Sequence, residues 1–197
     1  MNTKELNALK ERAYKTAVAH GFHEEERPDT YGLGLVMSEM GEAINADQNG
    51  LHADTKGFEE DLAKIPFVNG FKDIRDSFEA HIKDTVEDEI ADIVIRLLDF
   101  AGMKEYKLHL ERDSFPDCHD ALRTFEESGL PGLFFIIMDN LSDAFDGREL
   151  QTCIYDIIYI LGDCFDKMTG SDHDLWWFVE KKMKYNEQRP MLNGKKY

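Results

Sequence analysis

The sequence predicts an all-α helical bundle, and three observations carry that prediction. Apolar residues recur at three- and four-residue spacing over most of the chain, beginning with Leu6, Leu9, Ala13 and Ala17. No stretch alternates apolar and polar residues over the length of a strand, and no hairpin signal is flanked by such stretches. Turn formers at Gly21, Pro28, Asn49-Gly50, Pro66, Asn69-Gly70 and Gly129-Leu-Pro-Gly132 cut the chain into helix-sized lengths. With 197 residues, 42% of them hydrophobic and thirteen Phe, the chain can bury a sizeable core as a single domain.

Residues 3 to 20 form the first amphipathic helix, ended by Gly21. Pro28 forbids helix through the polar loop that follows, and Asp29 or Thr30 is placed to cap a second helix running to Asn49-Gly50. Residues 51 to 70 are less regular, with one short helix from Phe58 to Lys64. The stripe Phe71, Ile74, Phe78, Ile82, Val86, Ile90, Ile93, Leu97 predicts one long helix from Phe71 to Gly102. Residues 104 to 116 are a charged connector. A short helix then spans Asp117 to Glu127, a turn covers Gly129 to Gly132, and apolar helices follow over Leu133 to Phe145 and Leu150 to Met168. Asp174 opens the last helix, which extends to about Arg189, before Pro190.

The two halves align. Met37-Ser-Glu-Met-Gly-Glu-Ala43 matches Met138-Asp-Asn-Leu-Ser-Asp-Ala144, and the segment from Glu89 to Asp99 matches that from Cys153 to Asp163. Glu39, Glu42, Glu89 and Asp92 then correspond to Asn140, Asp143, Cys153 and Asp156. Apolar positions persist while charge is lost, which describes a duplicated helical hairpin: an acidic copy over about 31–103 and a degenerate copy over about 117–168. Such a chain builds by itself the four-helix core that two single hairpins would otherwise share.

The acidic copy carries the chemistry. Glu39 and Glu42, like Glu89 and Asp92, stand three residues apart and therefore on one helix face. Each pair edges an apolar stripe, formed by Val36, Met40, Ala43 and Ile44 in one helix and Ile90, Ile93, Val94 and Leu97 in the other. If the stripes pack together, four carboxylates meet, and such a cluster either takes up protons or binds a cation. Oxygen ligands without His or Cys favour Mg²⁺ over zinc or iron. The competing reading of the same spacing is a solvated acidic face.

Composition narrows the partners. A formal charge of −17 opposes binding to nucleic acid polymers and to anionic lipid, although metal ions would let a single nucleotide in. Cys118, Cys153 and Cys164 lack C-x-x-C spacing and suit a reducing cytoplasm. No apolar run approaches a membrane span, and the charged amphipathic start is unlike a signal peptide. A soluble cytoplasmic protein is expected.

From Phe178 to Tyr197 the sign reverses, with six Lys and Arg against two Glu. Lys182, Asn186 and Arg189 follow an i, i+4, i+7 rhythm, so a cation, an amide and a guanidinium share one face that could hold phosphate oxygens. A helix C-terminus enriched in cations to complement its dipole is the other reading.

The acid patterns and the basic end together resemble the all-α NTP pyrophosphatase superfamily, the MazG-like nucleotide pyrophosphohydrolases. The resemblance rests on E-x-x-E at Glu39, on Asp84-Thr-Val-Glu-Asp-Glu-Ile-Ala-Asp-Ile-Val-Ile-Arg96, on Lys182-Met-Lys-Tyr-Asn-Glu-Gln-Arg-Pro190, and on the closing Gly194-Lys-Lys-Tyr197. It covers roughly residues 3 to 103 and 174 to 197. It implies hydrolysis of a (deoxy)nucleoside triphosphate to the monophosphate and pyrophosphate, for house-cleaning or pool control, with Mg²⁺ or Mn²⁺ as cofactor. It implies Glu39, Glu42, Glu89 and Asp92 as catalytic metal ligands, Lys182, Asn186 and Arg189 as substrate contacts, and Asp88 or Glu42 as proton acceptor. Phe22, His23, Trp176 and Trp177 are candidates for the base contact, with packing in the core as their alternative role.

The chain departs from that pattern in three places. Ser38 stands where many relatives carry a further glutamate, 46 residues separate Glu42 from Glu89, and residues 104 to 173 add a second hairpin like that of the dimeric dUTPase branch. The insert is expected to form a lid or an oligomer contact, with Phe67, Phe71 and Phe78 exposed in a homodimer interface. Two rival functions compete. A di-metal oxidase would want E-x-x-H pairs, which Glu42 and Glu89 do not begin. A catalytically inactive helical interaction or regulatory protein is favoured by the degenerate half alone.

Overall fold

The computed structural model describes residues 1–68, 72–109, 118–143 and 149–190, and of Cys118 and Asp143 the backbone alone. Among the described residues there are eight helices and no strand, so the chain is all-α. The helices are α1 (Thr3–Ala19), α2 (Asp29–Gln48), α3 (Thr55–Lys64), α4 (Arg75–His81), α5 (Val86–Met103), α6 (Cys118–Asp143), α7 (Leu150–Thr169) and α8 (Leu175–Glu187). Among these residues no helix is long and apolar enough to cross a membrane.

Helix α5 is the axis of the bundle, packing against α2, α1, α8 and α7, most extensively against α2. The two apolar stripes expected to meet do so, with Val36, Met40 and Ala43 of α2 and Ile90, Ile93, Val94 and Leu97 of α5 all buried. On another side Gly102 lets α1 approach, since a Cβ at that position would lie 2.5 Å from the Cβ of Tyr14. Helix α6 pairs with α7, and the pair lies against α2 and α5.

Local chemistry sets the ends. Asn2 opens α1 with a reciprocal box, its side chain accepting from the Glu5 N–H at 3.0 Å while Glu5 accepts from its own N–H at 2.8 Å. Asp174 caps α8 by accepting from the Trp177 N–H at 2.9 Å. Helix α2 has no side-chain cap. Pro28 occupies the cap position, and Asp29 instead pairs with Lys104 at 2.6 Å, so neither Asp29 nor Thr30 caps as expected. The turn expected at Gly129 is a kink inside α6, where Gly129 adopts φ 63° with helix on either side.

The single long helix expected from Phe71 to Gly102 is two helices. Phe71 lies outside the described residues, α4 stops at His81, and Asp84 takes a left-handed conformation at φ 62°. Thr85 then starts α5, donating to the Ile82 carbonyl at 2.7 Å and accepting from the Asp88 N–H at 3.3 Å. The apolar stripe crosses this break unbroken because Ile82 and Val86 are both buried, which is why periodicity alone conceals it.

The insert packs down on the bundle. Phe58 of α3 is buried edge-on against Phe78 and Trp177, and His81 bonds Asp54 at 3.2 Å and Asp61 at 3.0 Å, tying α3 to α4. Of the three phenylalanines expected at an exposed interface, Phe67 is 72% exposed, but Phe78 is fully buried, stacked on Tyr185 with ring centroids 4.5 Å apart. Cys153 and Cys164 are buried, and burial pushes Cys164 up to about 11, which makes it unreactive.

Candidate metal centre

The start of α5 is held in place before it presents any ligand. Glu87, at 2% exposed, accepts from His52 at 3.1 Å and from the Ala53 N–H at 3.0 Å, while the Val86 N–H donates to the Leu51 carbonyl at 3.0 Å. These bonds pin the loop after α2 to the first turn of α5 and fix the register of the two helices. Two acids in that turn, Glu87 and Asp88, also complement the helix dipole.

Register and packing bring three of the four expected carboxylates together. Glu39 of α2 and Glu89 and Asp92 of α5 each offer one oxygen within 4.8 Å of the others. Glu42 does not join them: it is exposed at the rim, 3.5 Å from the Ser38 hydroxyl that donates to it. Its charge still raises the pKa of both Glu39 and Glu89. Of the aligned positions in the second hairpin, Cys153 and Asp156 are buried, and Asn140 donates to the Ile136 carbonyl at 3.1 Å.

Two cations enter the cluster from the protein itself. Lys182 of α8 is buried, its ammonium 2.7 Å from Asp88 and 2.8 Å from Asp92, and it lies over the rings of Phe78 and Tyr185. Burial opposes its charge, but the two carboxylates win and hold its pKa above the ordinary lysine value. Lys182 is therefore locked among the acids and is not available as a free phosphate ligand. Arg96 donates through Nε to Glu39 at 3.0 Å. Burial works against its charge too, and Glu39 and Asp92 more than offset it.

The balance stays acidic, with Glu39, Glu42, Asp88, Glu89 and Asp92 facing Lys182 and Arg96. Burial and then the neighbouring Asp88 and Asp92 push Glu89 up to about 8, so it carries a proton at neutral pH. Burial pushes Asp88 to about 6, and Lys182 keeps it ionised at pH 7. Glu39 is raised by burial and by Asp92, against the pull of Arg96. An all-oxygen donor set on two rigid helices, carrying a proton it would release to a divalent ion, fits Mg²⁺ or Mn²⁺. A second acidic group, Asp84, Asp88 and Glu89, is already neutralised by Lys83 on Asp84 and by Lys182 on Asp88.

Beside Asp92 a cleft of about 80 Å³ opens between α1, α5 and α8. Asn186 and Arg189 line it, so the basic row divides: Lys182 goes to the acids and the other two face the cleft. Arg189 lies two residues beyond the end of α8, its guanidinium over the Tyr185 ring at 5.4 Å. No family model matches the chain, nor does any curated protein or any solved structure. The site's chemistry therefore stands on its own geometry.

Sequence reasoning missed Arg96 and Asp99, which also line the cleft. Both lie on the Asp92 face, at i+4 and i+7, so following that face two turns further along α5 would have found them. Of the four aromatic candidates, Phe22 lines the cleft and His23 bonds Asp99 at 2.8 Å. Trp177 does not reach it. That ring packs in the core, against Phe58, Phe178 and a stacked His173. Trp176, half-buried on α8, is not among the cleft residues.

Proposed function

We propose that the chain is a metal-dependent nucleoside triphosphate pyrophosphohydrolase of the MazG-like kind, cleaving a (deoxy)nucleoside triphosphate to the monophosphate and pyrophosphate. The observation that carries this reading is the juxtaposition of Glu39, Glu89 and Asp92 with a cleft lined by two guanidinium groups, on a chain otherwise strongly acidic. Glu39, Glu89 and Asp92 would hold Mg²⁺, with Glu42 outside the set at the rim. The ion, when bound, neutralises phosphate oxygens and makes a bound water acidic enough to act as nucleophile near pH 7.

The protein's own groups divide the remaining work. Arg189 and the free end of Arg96 bind phosphate oxygens and offset charge on the departing pyrophosphate. Lys182 does not touch substrate; it holds Asp88 and Asp92 in place. Glu42, exposed at the rim, accepts the proton of the attacking water and passes it to solvent. The second hairpin serves as scaffold, which the packing of α6 and α7 against α2 and α5 supports.

The test is pyrophosphate release from a panel of standard and modified NTPs and dNTPs, with and without Mg²⁺, beside a Glu39→Gln/Glu89→Gln double variant. Metal-dependent release, with monophosphate as the other product and loss in the folded variant, is the expected result. No release from any nucleotide, together with no Mg²⁺-dependent stabilisation of the wild type, would reject the metal site and favour an inactive interaction protein.

A further inference from the structure

The cleft beside the metal centre has a polarity of its own. Helix α5 sets Asp92, Arg96 and Asp99 along its lining at one-turn steps, so the cleft runs from a metal end at Asp92 to a far end at Asp99, about 10 Å away along the helix axis. Ala13 and Ala17 on α1 leave room between them, and Ile95, Met183 and Phe22 give the lining apolar surface beside the guanidinium groups of Arg96 and Arg189. A cleft lined by apolar side chains and cations suits a heterocycle joined to phosphates.

Two of the polar groups that line the cleft are acceptors with capacity left over. Asp99 Oδ1 accepts from His23 Nε2 at 2.8 Å, and Asp99 Oδ2 has no hydrogen-bond partner among the described residues. His23 rests on the Tyr14 ring with centroids 5.1 Å apart, and the bond to Asp99 raises the pKa of His23, favouring an imidazolium that donates to the carboxylate. Asn186 Oδ1 is buried and has no hydrogen-bond partner. A buried acceptor without a donor is costly, and a ligand that brings the donor removes the cost.

We propose that this cleft is the nucleobase pocket of the triphosphate hydrolase, and that Asp99 selects bases bearing an exocyclic amino group over uracil and thymine. The inference rests on the hydrolase reading above. An ionised carboxylate only accepts hydrogen bonds, so it pairs with the amino N–H of adenine, cytosine or guanine. A keto oxygen in the same place sets two desolvated acceptors against each other, and sites built on such pairing discriminate by far more than apolar fit alone. Asn186 Oδ1 takes a second donor, from the base or the sugar.

The experiment is calorimetric binding of α,β-methylene triphosphates of deoxyadenosine, deoxycytidine, deoxyguanosine and deoxyuridine in Mg²⁺, to the wild type, Asp99→Asn and Ala17→Phe. At least one amino-bearing analogue is expected to bind about tenfold or more tighter than the uridine analogue. Asp99→Asn, whose amide both donates and accepts, brings uridine to within about threefold of the best analogue. Ala17→Phe fills the cleft and weakens every analogue about tenfold or more, while Mn²⁺ binding, followed by paramagnetic resonance, is retained. Thermal unfolding shows which variants are folded; if Asp99→Asn is not, the wild-type ranking and Ala17→Phe decide. Equal binding of all four analogues, preference for uridine, or unchanged affinities in folded Ala17→Phe would overturn the proposal. Equal binding accompanied by metal-dependent pyrophosphate release would reject base selection alone, whereas a wild type that binds no analogue and no Mn²⁺ would reject the hydrolase reading with it.

Discussion

Glu89 makes the metal-free protein lose stability as pH rises, and Glu89→Gln removes that loss. Burial and the neighbouring carboxylates hold Glu89 up to about 8 in the native state, whereas an unfolded glutamate ionises near 4.3. Between those values the native chain binds a proton that the unfolded chain has released. The stabilisation is complete below about 4.3 and is lost as pH passes through about 8. From pH 6 to pH 8 the full linkage amounts to about 2.3 kcal/mol, Glu89 being half-ionised at the upper end. Glu89 itself is 4% exposed, but water enters at the half-buried Asp92, and screening there reduces the expected effect to about 1–2 kcal/mol. Urea unfolding in EDTA at pH 6 and pH 8 measures it: the wild type should lose about 1–2 kcal/mol more than Glu89→Gln over the interval. Mg²⁺ binds the ionised carboxylate, so its stabilisation of the wild type should grow with pH over the same range. Parallel pH profiles for the two proteins, or Mg²⁺ stabilisation that shrinks as pH rises, would refute this account of the cluster.

Three further outcomes follow from the packing. Lys182→Met strands Asp88 and Asp92 without their buried cation and should cost about 3–5 kcal/mol in urea unfolding, with part recovered in Lys182→Met/Asp88→Asn. Gly102→Ala forces α1 and α5 apart where a Cβ would lie 2.5 Å from Tyr14, and a loss of about 1–3 kcal/mol in the same assay is expected. Arg189→Met should raise the KM for nucleotide at least about tenfold without changing the unfolding midpoint, with Arg189→Lys intermediate because a point charge replaces a two-pronged donor.

Most of the fold was legible because it rests on local signals. Gly21 and Asp174 mark helix ends through chemistry confined to a few residues, and the stripes of α2 and α5 announce their own packing face. The boundary between α4 and α5 was concealed because Ile82 and Val86 keep the apolar rhythm across the break. Thr85 three residues before Asp88 was the available cue, a side-chain cap hidden in a long apolar stripe. In the candidate site, Glu39, Glu89 and Asp92 were legible from spacing, since their meeting depends only on two stripes packing in register. The separation of Glu42, the capture of Lys182 by Asp88 and Asp92, and the Arg96–Glu39 pair were not. Each depends on how three helices approach one another, and sequence spacing along one helix carries no such information.

Lys182 gives the centre its character, because it decides which acids are ionised before any metal arrives. It touches Asp88 and Asp92 and does not touch Glu89, which stands beside them on the same turn and is left to take up the excess charge as a proton. Without the lysine, five carboxylates would compete for one cation, Arg96, and protonation would spread over several of them. With it, protonation concentrates on the residue placed between Glu39 and Asp92, where a divalent ion can replace that proton. Arg96 acts in the same sense from the other side, opposing the upward push of burial and Asp92 on Glu39 while lining the cleft. A site built this way resists the hard cations of the medium weakly at high pH and more strongly at low pH. On the proposed hydrolase reading, an anionic triphosphate at Arg189 and Arg96 would supply the negative field that favours the ion at neutral pH, so nucleotide and metal should each tighten the binding of the other.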